Sequence, residues 1–110
     1  MGTLTRHNNL TYETTVAAGA TEIYIPGLDY CYLTIFIEPA SGGTASVEVT
    51  GDSVETVNTG SPVWHAASAT LTDATANVND GTEFGVNALR LSATTQNAIF
   101  KIAMKGKGFK

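Results

Sequence analysis

The sequence of 110 residues contains a single cysteine, which excludes an internal disulfide and leaves no cysteine cluster that would bind zinc. Charged residues make up 15% of the chain, against roughly 25% in an average soluble domain. No apolar run reaches the ~18 residues of a membrane span, and Met1–Arg6 lacks the apolar region of a signal peptide. Hydrophobic residues nevertheless make up 43%, so the composition favours one folded domain over disorder.

Catalytic motifs are missing as well. No serine lies in a Gly-x-Ser-x-Gly turn, and no glycine-rich loop is followed by Lys-Ser or Lys-Thr to hold a phosphate. His7 and His65 have no partner at metal-ligand spacing, and the loop Asp73–Asp80 does not match the residue pattern of a calcium-binding loop. We therefore expect no catalytic residue, no cofactor and no metal, and we predict that the protein is not an enzyme.

Acidic and basic residues occupy different parts of the chain. All ten acids fall within Glu13–Glu83, whereas His7–Leu89 contains no Lys or Arg and Phe84–Lys110 contains no acid. Two interpretations stay open: lysines that protect an exposed sheet edge from aggregation, or a basic end that meets an acidic surface of another subunit. Nucleic-acid binding is disfavoured, because the body is acidic and the net charge is −4.

Short alternating runs between Gly, Asn, Asp and Ser clusters predict an all-β protein. We expect a jelly-roll-like two-sheet β-sandwich of about eight strands over residues 10–110, preceded by a flexible N-terminal arm, Met1–Asn9. The last two strands are expected to form a hairpin, and Ala66–Thr82 a long surface excursion with a short strand at Ala69–Thr72. The predicted strands are Leu10–Ala17, Glu22–Ile25, Tyr30–Glu38, Ala45–Thr50, Val54–Val57, Val63–Ala66, Phe84–Ala93 and Ala98–Lys105.

The strand Tyr30–Glu38 has two different faces. Its odd positions form an aliphatic face, Cys31, Leu33, Ile35 and Ile37, and its even positions carry Tyr30, Tyr32 and Phe36. Because successive side chains point to opposite sides of a sheet, we expect the aliphatic side in the core and the aromatic side outside. Large exposed apolar patches on a monomer need a partner, so the aromatic side predicts a protein contact. Trp64 is expected in the core or at an interface rather than in a sugar-stacking platform.

The C-terminal sequence resembles a known class of proteins. Gly85–Ala93 (GVNALRLSA) and Ala98–Gly106 (AIFKIAMKG), joined by a short turn, look like the end of many small tailed-phage virion proteins. The size and the Thr/Ala/Gly-rich composition are also similar to phage capsid decoration, or cement, proteins. The resemblance covers about the last quarter of the chain. It implies a jelly-roll-like subunit that binds the outside of a phage capsid shell and stabilises contacts between major capsid subunits.

This resemblance also implies where the protein acts and what it binds. We expect synthesis in the host cytoplasm, a final location on the outer surface of the virion, and two kinds of partner: the major capsid protein and further copies of the chain in a dimer or trimer. Neither nucleic acid nor a membrane is expected to bind. The alternative is a carbohydrate-binding module or a phage tail-fibre, receptor-binding domain. The candidate contact residues are Arg6, His7, Tyr30, Tyr32, Phe36, Trp64, Lys101, Lys105 and Lys107.

Overall fold

Nearly all regular structure in the protein is β-strand. The computed structural model describes residues 2–6, 10–26, 30–82 and 86–106. In these residues the elements are, in chain order, β1 (Thr3–Arg6), β2 (Leu10–Val16), β3 (Thr21–Tyr24), β4 (Tyr30–Pro39), β5 (Thr44–Thr50), α1 (Val54–Thr59), β6 (His65–Ala66), β7 (Val78–Thr82), β8 (Ala88–Thr94) and β9 (Ala98–Gly106).

The strands form two antiparallel sheets. Sheet A has the order β1-β2-β9-β4-β7, and sheet B has the order β3-β8-β5-β6. The pairs β2/β9, β3/β8, β4/β7 and β5/β6 alternate between the two sheets, as in one long hairpin rolled into two layers. This arrangement is a jelly roll, so the predicted jelly-roll-like two-sheet sandwich is confirmed.

Strand β1 lies within the predicted arm Met1–Asn9 and adds a fifth strand to sheet A. Thr3 of β1 is the register partner of Glu13 in β2. Met1 and His7–Asn9 lie outside the described residues, and the flexibility of the arm stays a prediction.

The core lies between the two sheets and follows the predicted alternation. The inward residues of β4 are almost completely buried; they lie beside the inward residues of β9 in the same sheet and face those of β8 and β5 in the other sheet. Full burial of each large aliphatic or aromatic side chain contributes about 1.5–3 kcal/mol. The largest buried apolar side chains are Phe100, Leu33, Ile35, Ile37, Leu71, Leu89, Leu91, Ile102, Met104 and Val47.

The predicted strand Val54–Val57 is wrong, because this segment is the first part of helix α1. The Ser53 hydroxyl accepts a hydrogen bond from the Thr56 amide at 3.1 Å, which caps the start of the helix. Gly60 ends the helix in the left-handed conformation, with φ of 86°. These caps and the burial of Val57 outweigh the strand preference of the β-branched residues.

The segment Ala66–Thr82 is more ordered than predicted. Its second part is strand β7, which pairs with β4, and the expected strand at Ala69–Thr72 is instead a turn in which the Thr72 amide donates to the Ala69 carbonyl. Leu71 is buried in the core. The sequence pattern did not predict β7, because this strand contains Asn, Asp and Gly, which usually indicate turns.

The predicted hairpin of the last two strands is also wrong. Strand β8 pairs with β3 and β5 in sheet B, whereas β9 pairs with β2 and β4 in sheet A. The connection between them therefore crosses from one sheet to the other. Asn97 fixes this crossing, because its carbonyl accepts from the Ala40 amide and its side-chain oxygen accepts from the Ala18 amide, both at 2.9 Å. A short polar connection fits both topologies, so the sequence pattern did not distinguish them.

Candidate interaction surfaces

The outer face of sheet A carries exposed aromatic surface. Tyr32 on β4 is 50% exposed. Phe36, four residues further along β4 on the same face, is half-buried. Thr34 lies between them and is exposed. The predicted division of β4 into an aliphatic core side and an aromatic outer side is therefore confirmed for these positions. The other described outward residues of the face are Thr11, Glu13, Thr15, Glu38, Asn79, Gly81, Ile99, Lys101 and Ala103.

Lys101 is the cation at the centre of this face. It lies opposite Phe36 on one side and opposite Glu13 on the other. Its ammonium group is 3.1 Å from a carboxylate oxygen of Glu38. This hydrogen bond, together with the charge of Glu38, raises the pKa of Lys101. The pair is about one-third exposed, so it adds little to stability, but it balances charge within the face.

The outer face of sheet A has the dimensions of a protein interface. Five strands spaced about 4.8 Å apart and roughly seven residues long cover about 550 Å² in projection. Because side chains project from the sheet, the accessible area of this face is larger than its projected area and approaches the ~800 Å² per partner of a standard interface. Half of the twelve described outward residues are Thr, Ala or aromatic, and three, Glu13, Glu38 and Lys101, are charged.

Trp64 lies on the opposite sheet. The guanidinium of Arg90 covers its ring at 4.8 Å from the ring centre. The same guanidinium donates to one carboxylate oxygen of Glu48, with Nε at 2.9 Å and Nη2 at 2.7 Å. Arg90 and Glu48 are register partners on β8 and β5. One face of the half-buried Trp64 ring is therefore occupied by the protein itself, which leaves less of it to stack on a sugar.

The predicted contact residues divide into separate groups. Tyr32, Phe36 and Lys101 share the outer face of sheet A, and Lys105 is the register partner of Tyr32 on β9. Trp64 belongs to the surface of sheet B. Arg6 ends β1 and Tyr30 begins β4, while His7 and Lys107 lie outside the described residues.

Strand β3 has a side-chain pattern opposite to the one its sequence suggests. Ile23 is 48% exposed on the outside of sheet B, and Ile25 just after the strand is 38% exposed. Glu22 and Tyr24 point to the inner side, towards β2. Sequence reasoning missed these isoleucines as surface residues, because an alternating Glu-Ile-Tyr-Ile run normally places isoleucine in the core.

A polar cluster at the side of the sandwich explains this inversion. One Glu22 oxygen accepts from the Thr14 hydroxyl at 2.7 Å, and the other accepts from the Tyr12 hydroxyl. The rings of Tyr12 and Tyr24 are stacked with centres 4.1 Å apart. Burial, with smaller contributions from the hydrogen bond and charge of Glu22, raises the pKa of Tyr12. The cluster joins β2 of sheet A to β3 of sheet B.

Within the described ranges, no three His, Cys, Asp or Glu side chains are grouped so that they could hold a metal ion. No helix in this part of the chain has the length and hydropathy needed to cross a membrane.

Comparison with known proteins gives little further information. No protein-family model and no curated protein matches the sequence. Among solved structures, thiamin pyrophosphokinase from Geobacillus thermodenitrificans is similar over 94% of this chain, with 15% identity and a TM-score of 0.43. The capsular polysaccharide assembling protein CapF from Staphylococcus aureus is similar over 97%, with 10% identity and a TM-score of 0.34. The chain spans 40% and 31% of the lengths of these two proteins, and at such TM-scores neither similarity carries an argument about activity.

Proposed function

We propose that this chain is a non-enzymatic structural virion protein, a capsid decoration or cement protein of a phage. In this role it binds the outer surface of the capsid shell and stabilises contacts between major capsid subunits. The observation that carries the proposal is the outer face of sheet A, where half-exposed Tyr32 and half-buried Phe36 lie on the same side of β4, separated by Thr34. The jelly roll supports it, since viral capsid proteins use this fold, although lectins use it too.

The contact would gain its energy from aromatic burial. Tyr32 is large and amphipathic, and truncating a tyrosine that is a hot spot of an interface costs about 2 kcal/mol, which is about 30-fold in affinity. Each copy binds one site, but many copies on one shell act together and reinforce the joints between capsomers. Such a protein needs geometry and area rather than catalytic groups.

The basic C-terminal segment would direct this contact. Lys101 and the backbone position of Lys105 both lie on β9 beside the aromatic residues of β4. Complementary charges of this kind contribute more to the association rate and to specificity than to affinity, and they favour an acidic partner. The proposed partners are therefore the major capsid protein and further copies of this chain.

Capsid shells of the phage that encodes this chain provide the test. Tyr32→Ser removes the half-exposed ring, and Val63→Ser is the matched control, because Val63 is 61% exposed and lies in the connection between β5 and β6. Co-sedimentation with the shells should show affinity reduced at least about tenfold for Tyr32→Ser and unchanged for Val63→Ser, with both variants as thermally stable as the wild type. A Tyr32→Ser variant that binds like the wild type, or a wild type that does not sediment with shells, would contradict the proposal.

The glycan-binding alternative makes a different prediction. Its supporting observation is Trp64 near the surface, with the polar groups of Arg90 and Glu48 beside it. If it were correct, soluble oligosaccharides of the host surface would change the fluorescence of Trp64, and Trp64→Ala would abolish binding. Under the capsid proposal, glycans leave the fluorescence unchanged.

A further inference from the structure

Strand β3 is an edge strand of sheet B in the described part of the chain, and β8 is its neighbour. An edge strand presents unpaired backbone amides and carbonyls to its open side. Which residues present them follows from the pairing with β8. The Ala93 amide donates a hydrogen bond to the Ala20 carbonyl, so the backbone groups of Ala20 point towards β8.

Antiparallel strands alternate between residues that bond to one neighbour and residues that bond to the other. Since Ala20 bonds to β8, Glu22 and Tyr24 do so as well. The backbone groups of Thr21 and Ile23 therefore point to the open edge. The same alternation directs the backbone groups of Ile25, just after the strand, to this edge.

The outward side chains of β3 do not protect this edge. Proteins usually guard an edge with lysine, proline, a bulge or an inward-pointing charge. In β3 the inward carboxylate of Glu22 is held by Tyr12 and Thr14 of its own chain, and the outward positions are Thr21 and Ile23. Strand β7, at an edge of sheet A, differs because it carries Asn79, Asp80 and Gly81.

We propose that β3 pairs antiparallel with β3 of a second copy, around a two-fold axis near Ile23. Ile23 would then face its counterpart, and Thr21 would face Ile25 of the other copy. Three hydrogen-bonded residue pairs would give about six intermolecular backbone hydrogen bonds. The two four-stranded sheets become one continuous eight-stranded sheet, and the exposed isoleucines cover each other. Attachment to a capsid is not needed for this pairing.

A second copy fits this edge because the edge complements itself. A two-fold contact brings identical patches together, so a charged edge would repel its own copy. The outward side of β3 carries no charge, although each chain has a net charge of −4. The nearest cations are the two Arg90 side chains, which would be separated by three strand spacings, about 14 Å. That exceeds the Debye length of about 8 Å at physiological salt, and each Arg90 is already paired with Glu48.

The test begins with the mass of the free protein. Light scattering after size exclusion should give twice the 11.5 kDa of one chain. Ile23→Glu should reduce this mass by half, because two carboxylates would meet at the axis. The same substitution is tolerated within one chain, since Arg90 is the register partner of Ile23. Val63→Glu, a matched change at an exposed valine, and Tyr32→Ser should both leave the dimer intact.

Amide hydrogen exchange measured by NMR identifies the surface. In the dimer, the amides of Thr21, Ile23 and Ile25 should be protected, and dilution or Ile23→Glu should remove this protection. The amides of Glu22 and Tyr24 should stay protected in both states, because they already bond to β8. A monomeric mass throughout a dilution series, or a dimer that survives Ile23→Glu, would overturn the proposal. A Tyr32→Ser variant that loses capsid binding but remains dimeric separates this surface from the proposed capsid contact.

Discussion

Glu22→Ala should destabilise the protein through the two hydroxyls that lose their acceptor. Glu22 connects the sheets, because it lies on β3 and accepts hydrogen bonds from Tyr12 and Thr14 on β2. Thr14 is 3% exposed, so its hydroxyl has little access to water as a substitute acceptor. Tyr12 is only half-buried, so water can replace its lost partner.

These environments set the expected size of the effect. A hydroxyl left buried without a partner costs about 1–3 kcal/mol, and the rehydrated Tyr12 loses about 0.5–1.5 kcal/mol. We expect a loss of about 2–3 kcal/mol from a total stability of about 5–15 kcal/mol. For a domain of this size, that lowers the melting temperature by roughly 10 °C. Glu13→Ala on the exposed side of β2 is the control, and it should change stability by no more than about 0.5 kcal/mol.

Chemical denaturation of four proteins tests this reasoning: the wild type, Glu22→Ala, Thr14→Val and the double variant. The double variant should lose at least about 0.5 kcal/mol less than the sum of the two single losses, because it contains no buried hydroxyl without an acceptor. Additive losses, or a Glu22→Ala loss no larger than that of Glu13→Ala, would show that the cluster is not what joins β2 to β3.

Two further predictions concern the aromatic residues. Because the pKa of Tyr12 is raised above 10.0 by burial and Glu22, the folded state keeps the phenol proton to higher pH than the unfolded chain. This stabilisation is complete below pH 10.0 and is lost as the pH rises through the pKa of Tyr12 in the folded state. Melting temperatures between about pH 8 and about pH 11 should therefore fall more steeply for the wild type than for Tyr12→Phe. Parallel curves of melting temperature against pH would contradict this. Arg90→Ala uncovers one face of Trp64, the single tryptophan, and should shift its emission to longer wavelength with a loss of about 0.5–1 kcal/mol; unchanged emission would show that the guanidinium does not cover the ring.

The strands with one apolar and one polar face could be predicted from the sequence. In β4, the odd positions Leu33, Ile35 and Ile37 are buried and Tyr32 is exposed, as the alternation predicts. The same holds for β9, where Phe100 is completely buried. These strands lie near the centre of sheet A, so their burial follows directly from the two-residue period of a strand.

The same period does not account for the orientation of β3. Ile23 lies outside and Glu22 inside, because Tyr12 and Thr14 on another strand satisfy the carboxylate. A single sequence does not show which strand will supply such partners. Helix α1 was missed for a local reason, since the Ser53 and Gly60 caps outweigh the strand preference of its valines and threonines.

Part of the proposed contact surface could also be predicted from the sequence. Tyr32, Phe36 and Lys101 are brought together by the pairing of β4 with β9. Trp64 could not be separated from them beforehand, because its position depends on β6 joining sheet B next to β5. The division of these residues between two opposite surfaces is therefore a result of the topology.

Hydroxyl-radical footprinting of the free protein and of intact phage particles tests the central claim most directly. Tyr32 is half-exposed in the free chain and should be oxidised there. The proposed capsid contact predicts that its oxidation falls at least several-fold in the particle, while that of Trp64 changes little. Equal oxidation of Tyr32 in both samples, with protection confined to Trp64, would contradict the assignment of the outer face of sheet A as the surface that binds the shell.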